Sequence, residues 1–600
     1  MLEKSEFIAQ KLLAPDPYIN SEGALFYHCA GNSGYDSVRR HYYVEKGGKL
    51  VFDSYFNCFP LHLYDLTDEH SLEVRIKAKG KSIFSAGQAH WQKSGDMLIE
   101  THIDFSNEDE QLSVPIPLME ESGVIFLEFT AREPLEIYDV EFVIIGPRRR
   151  EVSVCAVITT YKRDREVQNT AKRLEAYFSR NADIAPLFRL IVVDNGGETD
   201  TVPFSAARVI KNPNYGGAGG FMRGLLETID DGRASHALFM DDDASFFPEN
   251  IRRTLAVLSF SKHSNLAISG AMITKLHKWM MWEDTATFRG GCRPLHTGRD
   301  LRHFMEVMTC AFDKPFMSPS RYGGWWYFCF PIAEAKTLTF PFFVRGDDIY
   351  FSLANNFQII AIPGVVSIQE DFSEKQSPLT LYLDMRNHIV QNLTFLNGKK
   401  SARADLKMMR SFFWRYNTAY HYETAAAINL AIEDVMKGAT FWEENLDMAQ
   451  KRAEIAKLMA QEKIKTPLPY DPNYVFAPRP IRRPRLMGFL RKATFNGHLL
   501  PGFFFYKKGR ILSLSDRAIG PQLFRRPFAI HIDQSNGAGY QVEINRRKFF
   551  KNWLKFCRLT WAYKLRYGRL LNAYSEFKQK RTSSGFWQQR FGMQITSADK

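Results

Sequence analysis

The stretch HALFMDDDASFFPENI is an apolar run that ends in Asp241, Asp242 and Asp243 and passes into helix-forming sequence. Three adjacent carboxylates repel one another and invite a cation. Hard oxygen ligands of this kind suit Mg2+ or Mn2+, ions that keep open positions for a substrate diphosphate. In group transfer such an ion offsets the charge that develops on a leaving nucleotide. An acidic helix start is the plainer explanation, since Asp is favoured there anyway, but the apolar strand before it favours a metal. Upstream, KNPNYGGAGGFMRGLLETI places Asn214, Gly216, Gly217, Gly219 and Gly220 at the opening of a helix, where backbone amides can approach an anion. It is neither a Walker loop nor a regular GxGxxG, so it reads equally as a turn. Downstream, RYGGWWYFCFP carries Trp325 and Trp326, whose faces suit the apolar side of a sugar ring, and FFVRGDDIYFSL carries Asp347 and Asp348. A carboxylate beside such a platform can take a proton from an acceptor hydroxyl. Taken singly, the tryptophans also read as core residues and the Asp pair as a helix cap.

These residues need a scaffold that brings strand ends together. VSVCAVITTY, the helix REVQNTAKRLEAYFS and FRLIVVDNGG alternate buried strands with an amphipathic helix, the pattern of a parallel sheet with ligands at the carboxyl ends of its strands. Before it, Leu25 to Ile145 is mostly short alternating runs such as LEVRIKAKG, which predict a β-sandwich. GPRRR at Gly146–Arg150 reads as a linker. From about Ser401 helical stretches dominate, ETAAAINLAIEDVMKGATFWEENLDMAQKRAEIAKLMAQEK among them, broken near Pro467–Pro484 by a proline-rich basic segment. The 600 residues exceed one hydrophobic core, and the expected architecture is a multidomain α/β chain: a β-sandwich over 1–147, an α/β domain over 148–400 and a helical domain over 401–600.

Taken in order, the motifs within the α/β unit resemble the GT-A glycosyltransferases, in particular the galactan-polymerising galactofuranosyltransferases of mycobacteria. The resemblance rests on NxGGxGGF at Asn214–Phe221, FMDDD at Phe239–Asp243, GGWW at Gly323–Trp326, Asp347–Asp348, Pro363–Gly364 and Arg386–Asn387. It implies a UDP-galactofuranose donor held by Arg163, in TTYKR, and by Asn214, with Asp242 beside the donor. It implies Asp241 and Asp243 as ligands of the divalent metal and Asp348 as the base of an inverting displacement. Trp325 and Trp326 would shape the acceptor site, with Glu283, in MMWEDTA, as an acceptor-side glutamate. The family's third ligand is a histidine, and the matching position here is Gln369. Either Gln369 ligates, His388 approaches from the next helix, or water fills the place; His388 reads more readily as a packing residue. The family also forms homo-oligomers and extends a lipid-linked glycan.

The remaining signals concern partners. A formal net charge of +13 and a pI near 9.2 suggest an anionic partner. From Asn545 to Arg581 the only acid is Glu576. There Phe550, Leu554, Trp561 and Leu565 recur near helical spacing, with Arg547, Lys551, Lys555 and Arg558 on the polar face. Such a helix suits either an anionic membrane surface or the protein core. No recognisable nucleic-acid-binding module accompanies the charge, so no nucleic-acid partner is expected. The first residues lack a signal-peptide pattern and no apolar run is long enough to span a bilayer. Seven cysteines without CxxC spacing disfavour a disulfide framework. The expected location is cytoplasmic, on the inner face of the membrane. The rival readings are the same fold using another nucleotide-sugar, and a non-catalytic carbohydrate-binding or assembly subunit.

Overall fold

The computed structural model describes residues 5–93, 95–106, 110–312, 320–372, 375–395, 401–470 and 485–594. Through Ile145 the strands form one ten-stranded antiparallel sheet. Strand Ser71–Ala89 alternates buried with more exposed residues along most of its length, the period-two pattern of a strand with one face on a core. Its 19 residues serve both halves of the folded sheet. Up to Lys79 it pairs with Leu135–Ile145 and Gln111–Ile116, and from Gly80 onward with Asp96–Phe105 and Val124–Ala131. Gly80 lies at the change of partners with φ +112°, and a Cβ there would sit 2.1 Å from the Pro134 carbonyl oxygen. Phe59, Phe84, Phe129 and Phe142 fill the interior.

The Gly146–Arg150 segment is docked and is not a free linker. Arg149 Nε donates to the Phe260 carbonyl at 3.1 Å, and Arg150 donates to Leu258 and His263 carbonyls at 3.2 and 2.9 Å. The two guanidiniums thus satisfy carbonyls at the end of helix Glu249–Phe260, where cations are favoured. The same helix sends the fully buried Arg253 back to the Phe56 and Lys11 carbonyls. One apolar core runs from the β-unit into the next unit without a break.

The central sheet has seven strands in the order Ala207–Lys211, Phe188–Asp194, Val154–Thr160, His236–Asp241, Phe328–Pro331, Leu266–Ser269, Gln358–Ile360. Only Phe328–Pro331 runs antiparallel to its neighbours. Chain order steps outward from Val154–Thr160 and then returns to its other side at His236–Asp241. That reversal opens a crevice at the carboxyl ends of these two strands. Pairing aligns Thr159 with Asp241 and Thr160 with Asp194, so all of these side chains come to one edge. A small sheet of Met281–Glu283, Ala271–Thr274 and Val366–Gln369 flanks it.

Beyond Pro378 the chain is mainly helical but also carries a three-stranded sheet, Arg510–Ser513, Phe528–Ile532 and Gly539–Glu543, which the sequence pattern does not suggest. The ETAAAINL stretch forms three helices, Tyr422–Val435, Ala439–Glu444 and Ala449–Leu458, interrupted at Gly438 and Met448, both with positive φ. The basic stretch is one 36-residue helix, Arg546–Arg581, as expected, but its core face is Phe549, Phe556, Leu559, Tyr563, Leu570, Tyr574 and Phe577. Leu554, Trp561 and Leu565 are about two-thirds exposed, so the apolar stripe picked from spacing is not the packed one. The following helix Ser584–Phe591 returns to the central unit, where Trp587 Nε1 donates to the Thr339 carbonyl at 3.1 Å. Of the proline-rich basic segment, residues 471–484 lie outside those described. Among the described residues no helix is long and apolar enough to cross a membrane.

Candidate functional site

At the crevice, strand His236–Asp241 ends in the acidic triplet and strand Val154–Thr160 ends opposite it. Thr160 Oγ1 donates to Asp242 at 2.8 Å, and Arg163 bridges Asp242 and Asp243 at 2.9 and 2.8 Å. Lys375 approaches Asp243 at 3.6 Å. Burial, then repulsion from Asp243 and Asp242, pushes the Asp241 carboxyl up to about 7. Burial also raises Asp242, against the pull of Arg163. Gln369, at the end of Val366–Gln369, donates to Asp241 at 3.1 Å. Turning that amide over would present its oxygen in place of Nε2. Two carboxylates and a neutral oxygen are a donor set that fits a hard divalent ion. His388 is elsewhere: its Nδ1 faces the Asp384 carbonyl at 2.5 Å and its Nε2 faces Cys292 Sγ at 3.3 Å. It is the packing residue that the plainer expectation described, and burial lowers its pKa.

The glycines serve packing first. A Cβ on Gly220 would lie 1.8 Å from Thr159 Oγ1, and one on Gly224 would lie 2.2 Å from Val157. Gly216, with φ +70°, admits the Phe343 carbonyl, which accepts from the Ala218 amide at 3.0 Å. Asn214 Oδ1 accepts from the Gly216 amide at 3.0 Å, a local turn that leads the chain into the helix. Asp194 secures a turn in the same manner. Although burial opposes its ionisation, the amides of Thr199, Gly196 and Gly197 and the Lys211 ammonium hold its pKa below the usual value.

Across the crevice, the turn before helix Asp347–Ala354 is tightly constrained. Phe343, Arg345 and Gly346 all have positive φ, a cost that surrounding bonds must offset. Side chains of the next long helix supply those bonds: Arg386 donates to the Phe342 carbonyl at 2.5 Å, Asn387 to Val344 and Arg345 at 3.1 and 2.5 Å, and Gln391 to Gly346 at 2.7 Å. Arg386 is fully buried, with its guanidinium 4.4 Å from the Trp442 ring centre. The Arg-Asn motif is therefore the clamp that sets the Asp pair.

The pair faces two ways. Asp347 lies toward Gly217 and interacts with Asp241, and burial and then Asp348 raise its pKa well above the usual range. Asp348 accepts from the Ile349 amide at 2.8 Å and lies toward Glu283, with Arg345 opposing the rise that burial causes, so that its pKa stands at about 6. Glu283, at the end of Met281–Glu283, is pushed up to about 8 by burial, then by Asp348 and Asp284.

The tryptophans do not form an open platform. Trp325 is 5% exposed and packed by Phe221, Phe239 and Phe351 with ring centres 5.0, 4.9 and 5.8 Å away. Trp326 is 6% exposed, donates to the Gly270 carbonyl at 2.8 Å and neighbours Phe372. Large apolar rings next to many aromatic residues are buried in preference to facing water. Thr160 and Lys375 join the site without having been singled out by sequence reasoning. Thr160 stands in the same TTYKR run as Arg163, a signal that could have found it, whereas Lys375 belongs to a loop with no motif.

No family model matches the chain. It is 23% identical over 431 residues to the galactofuranosyltransferase GlfT2 of Mycobacterium tuberculosis, an alignment covering 65% of each chain. It is 24% identical over 457 residues to GlfT2 of Mycolicibacterium smegmatis, covering 69% of this chain and 67% of that protein. The match thus spans just under two thirds of the length of the first of these relatives. Among solved structures, the chain is similar to S. aureus TarS in complex with UDP, with 13% identity, 52% of this chain, 94% of that chain and a TM-score of 0.28. It is also similar to a mannosyltransferase from Pyrobaculum calidifontis in complex with GDP-Man and Mn2+, with 14% identity, 52% and 81% coverage and a TM-score of 0.27.

Proposed function

We propose that this chain is an inverting glycosyltransferase of GT-A type that transfers galactofuranose from UDP-galactofuranose to a hydroxyl of a lipid-linked bacterial glycan. The observation that carries the reading is the meeting of two chemically different carboxylate groups across one crevice: Asp241–Asp243 with Arg163 and Lys375 on one side, Asp348 with Glu283 on the other. The similarity to GlfT2 supports the donor assignment. Asp241, Asp243 and Gln369 would hold a divalent ion, which when bound stabilises the negative charge of a departing diphosphate. Arg163 and Lys375, which pair with Asp242 and Asp243, would also reach the same phosphates. Asn214 at the helix entrance and Asp242 would contact the donor.

Asp348 and Glu283 divide the acceptor chemistry by their proton affinities, as carboxyl pairs do when their environments push their pKa values apart. At neutral pH Asp348 is ionised and can accept the hydroxyl proton as that oxygen attacks. Glu283 keeps its proton and can donate a hydrogen bond that aims the acceptor. Trp325 and Trp326 support the wall from within. The exposed Leu554, Trp561 and Leu565, next to Lys555, Arg558 and Lys564 on the same helix, supply a face for an anionic membrane where a lipid-linked acceptor resides.

The test is incubation with UDP-galactofuranose, UDP-galactopyranose, UDP-glucose and a lipid-linked acceptor, followed by mass spectrometry. Addition of hexose units from UDP-galactofuranose alone is expected. Transfer only from another donor would overturn the sugar assignment, and glycan binding without transfer from any donor would overturn the enzyme.

A further inference from the structure

Strand Met281–Glu283 ends at Glu283, and Asp284 opens the bend that follows it. Glu283 faces Asp348, and Asp284 turns to the other side, where His296 and Cys310 wait. We propose that Asp284, His296 and Cys310 form a second metal site, matched to zinc, behind the acceptor side of the crevice.

The ligand atoms of the three residues all lie within 4.8 Å of one another. Zinc takes carboxylate oxygen and imidazole nitrogen at about 2.0–2.2 Å and thiolate sulfur at about 2.3 Å, so neighbouring ligands of a tetrahedral site stand roughly 3.5 Å apart. Zinc entry would open the 2.6 Å His296–Asp284 contact by about an ångström and draw in whichever ligand atoms stand wider than the tetrahedral spacing. The mixed oxygen, nitrogen and sulfur set selects a borderline-soft ion over the hard ion suited to Asp241 and Asp243. Asp284 is 3% and Cys310 9% exposed while His296 is half-buried, so three protein ligands leave the fourth position to water.

The chain approaches this cluster from three elements. Asp284 follows strand Met281–Glu283, Cys310 lies in helix Phe304–Ala311, and His296 lies in the connecting loop. His296 has φ +55°, an uncommon conformation for a residue with a side chain, and its Nδ1 lies 2.6 Å from Asp284 Oδ2. The other carboxylate oxygen accepts from the Thr285 amide at 2.6 Å, which fixes the group's orientation. The fully buried Tyr55, from the N-terminal β-unit, feels both Cys310 and Asp284 and supplies the fourth side of the space. Binding would release the Cys310 thiol proton to solvent and would join the β-unit, the helix and the strand that carries Glu283. The site does not depend on which sugar is transferred, or on transfer itself.

Full-length protein stripped with a chelator and titrated with cobalt(II) tests this directly. A thiolate-to-cobalt charge-transfer band with tetrahedral d–d absorption is expected, displaced by stoichiometric zinc. Cys310→Ser should remove the band, and His296→Gln, which removes a ligand, should weaken affinity by more than the roughly 10-fold typical of losing an outer-shell partner. Asp243→Asn and Cys292→Ser should keep it, the latter because Cys292 beside His388 is the rival thiol. Absence of the band in the wild-type protein overturns the proposal whatever the variants do. So does a band that survives Cys310→Ser and disappears with Cys292→Ser.

Discussion

Asp348 and Glu283 differ in proton affinity chiefly through their surroundings, and that difference can be measured. Asp348→Asn keeps the shape but cannot accept a proton, so transfer should fall about 10²–10⁴-fold while donor binding, read by calorimetry, survives. Equal activity in Asp348→Asn and wild type would move the base elsewhere; Asp347→Asn, facing Asp241, is the comparison. The pH profile follows with its sign. Both carboxyls are raised, so each is protonated below its pKa and ionised above it. The base limb should therefore rise through about 6 as Asp348 ionises, and the rate should fall through about 8 as Glu283 loses the proton it donates. Glu283→Gln should abolish the alkaline fall and leave the acid limb; an unchanged alkaline limb would remove Glu283 from this role. At the acidic triplet, Asp243→Ala or excess chelator should abolish turnover, and full activity under chelation would refute metal assistance.

Between residues and molecule stand the elements that hold these groups, and the Gly-rich helix is the most exacting. Gly220→Ala puts a methyl group 1.8 Å from Thr159 Oγ1, and overpacking of this kind costs about 1–3 kcal/mol. Chemical denaturation should register that loss, and Thr159→Ala in the same chain should recover some of it, since neighbouring changes are not additive. Full additivity would mean the clash is relieved elsewhere. This helix marks what the sequence could and could not reveal. Its start, the strand before Asp241 and the period-two runs of the β-unit were legible because each is a local pattern. The use of its glycines was not, because close approach to Val157 and Thr159 depends on a partner some sixty residues away. Trp325 and Trp326 admit two readings for a related reason: an aromatic pair looks alike in a wall and in a core, and it takes Phe221, Phe239, Phe351 and Phe372 to show how they pack. The Arg386–Asn387 clamp was visible as a motif, yet its purpose needed the carbonyls of a turn with three positive φ angles.

For the molecule as a whole, the long basic helix has two apolar stripes, one packed and one turned outward. Replacing Leu554, Trp561 and Leu565 together with Glu should leave the thermal transition nearly unchanged and reduce flotation with anionic vesicles. Salt should weaken binding of the wild type, since the screening length shortens as ionic strength rises. Undiminished flotation of the triple variant would dismiss this face as the membrane contact. The helix that follows has a different consequence. Trp587 bonds to Thr339, Arg223 of the Gly-rich helix reaches the Phe591 carbonyl, and the Leu338 amide donates to Thr582. During synthesis every carboxylate of the crevice leaves the ribosome more than two hundred residues before these partners exist. A nascent chain at that stage carries the whole reactive set beside an unfilled socket for Trp587, so the central unit, made well before the C-terminal helices, is completed only with them. Quality control would then read the finished state through residue 587: a chain stopped before Ser584 should be rapidly cleared by proteases although nothing in its crevice has been altered.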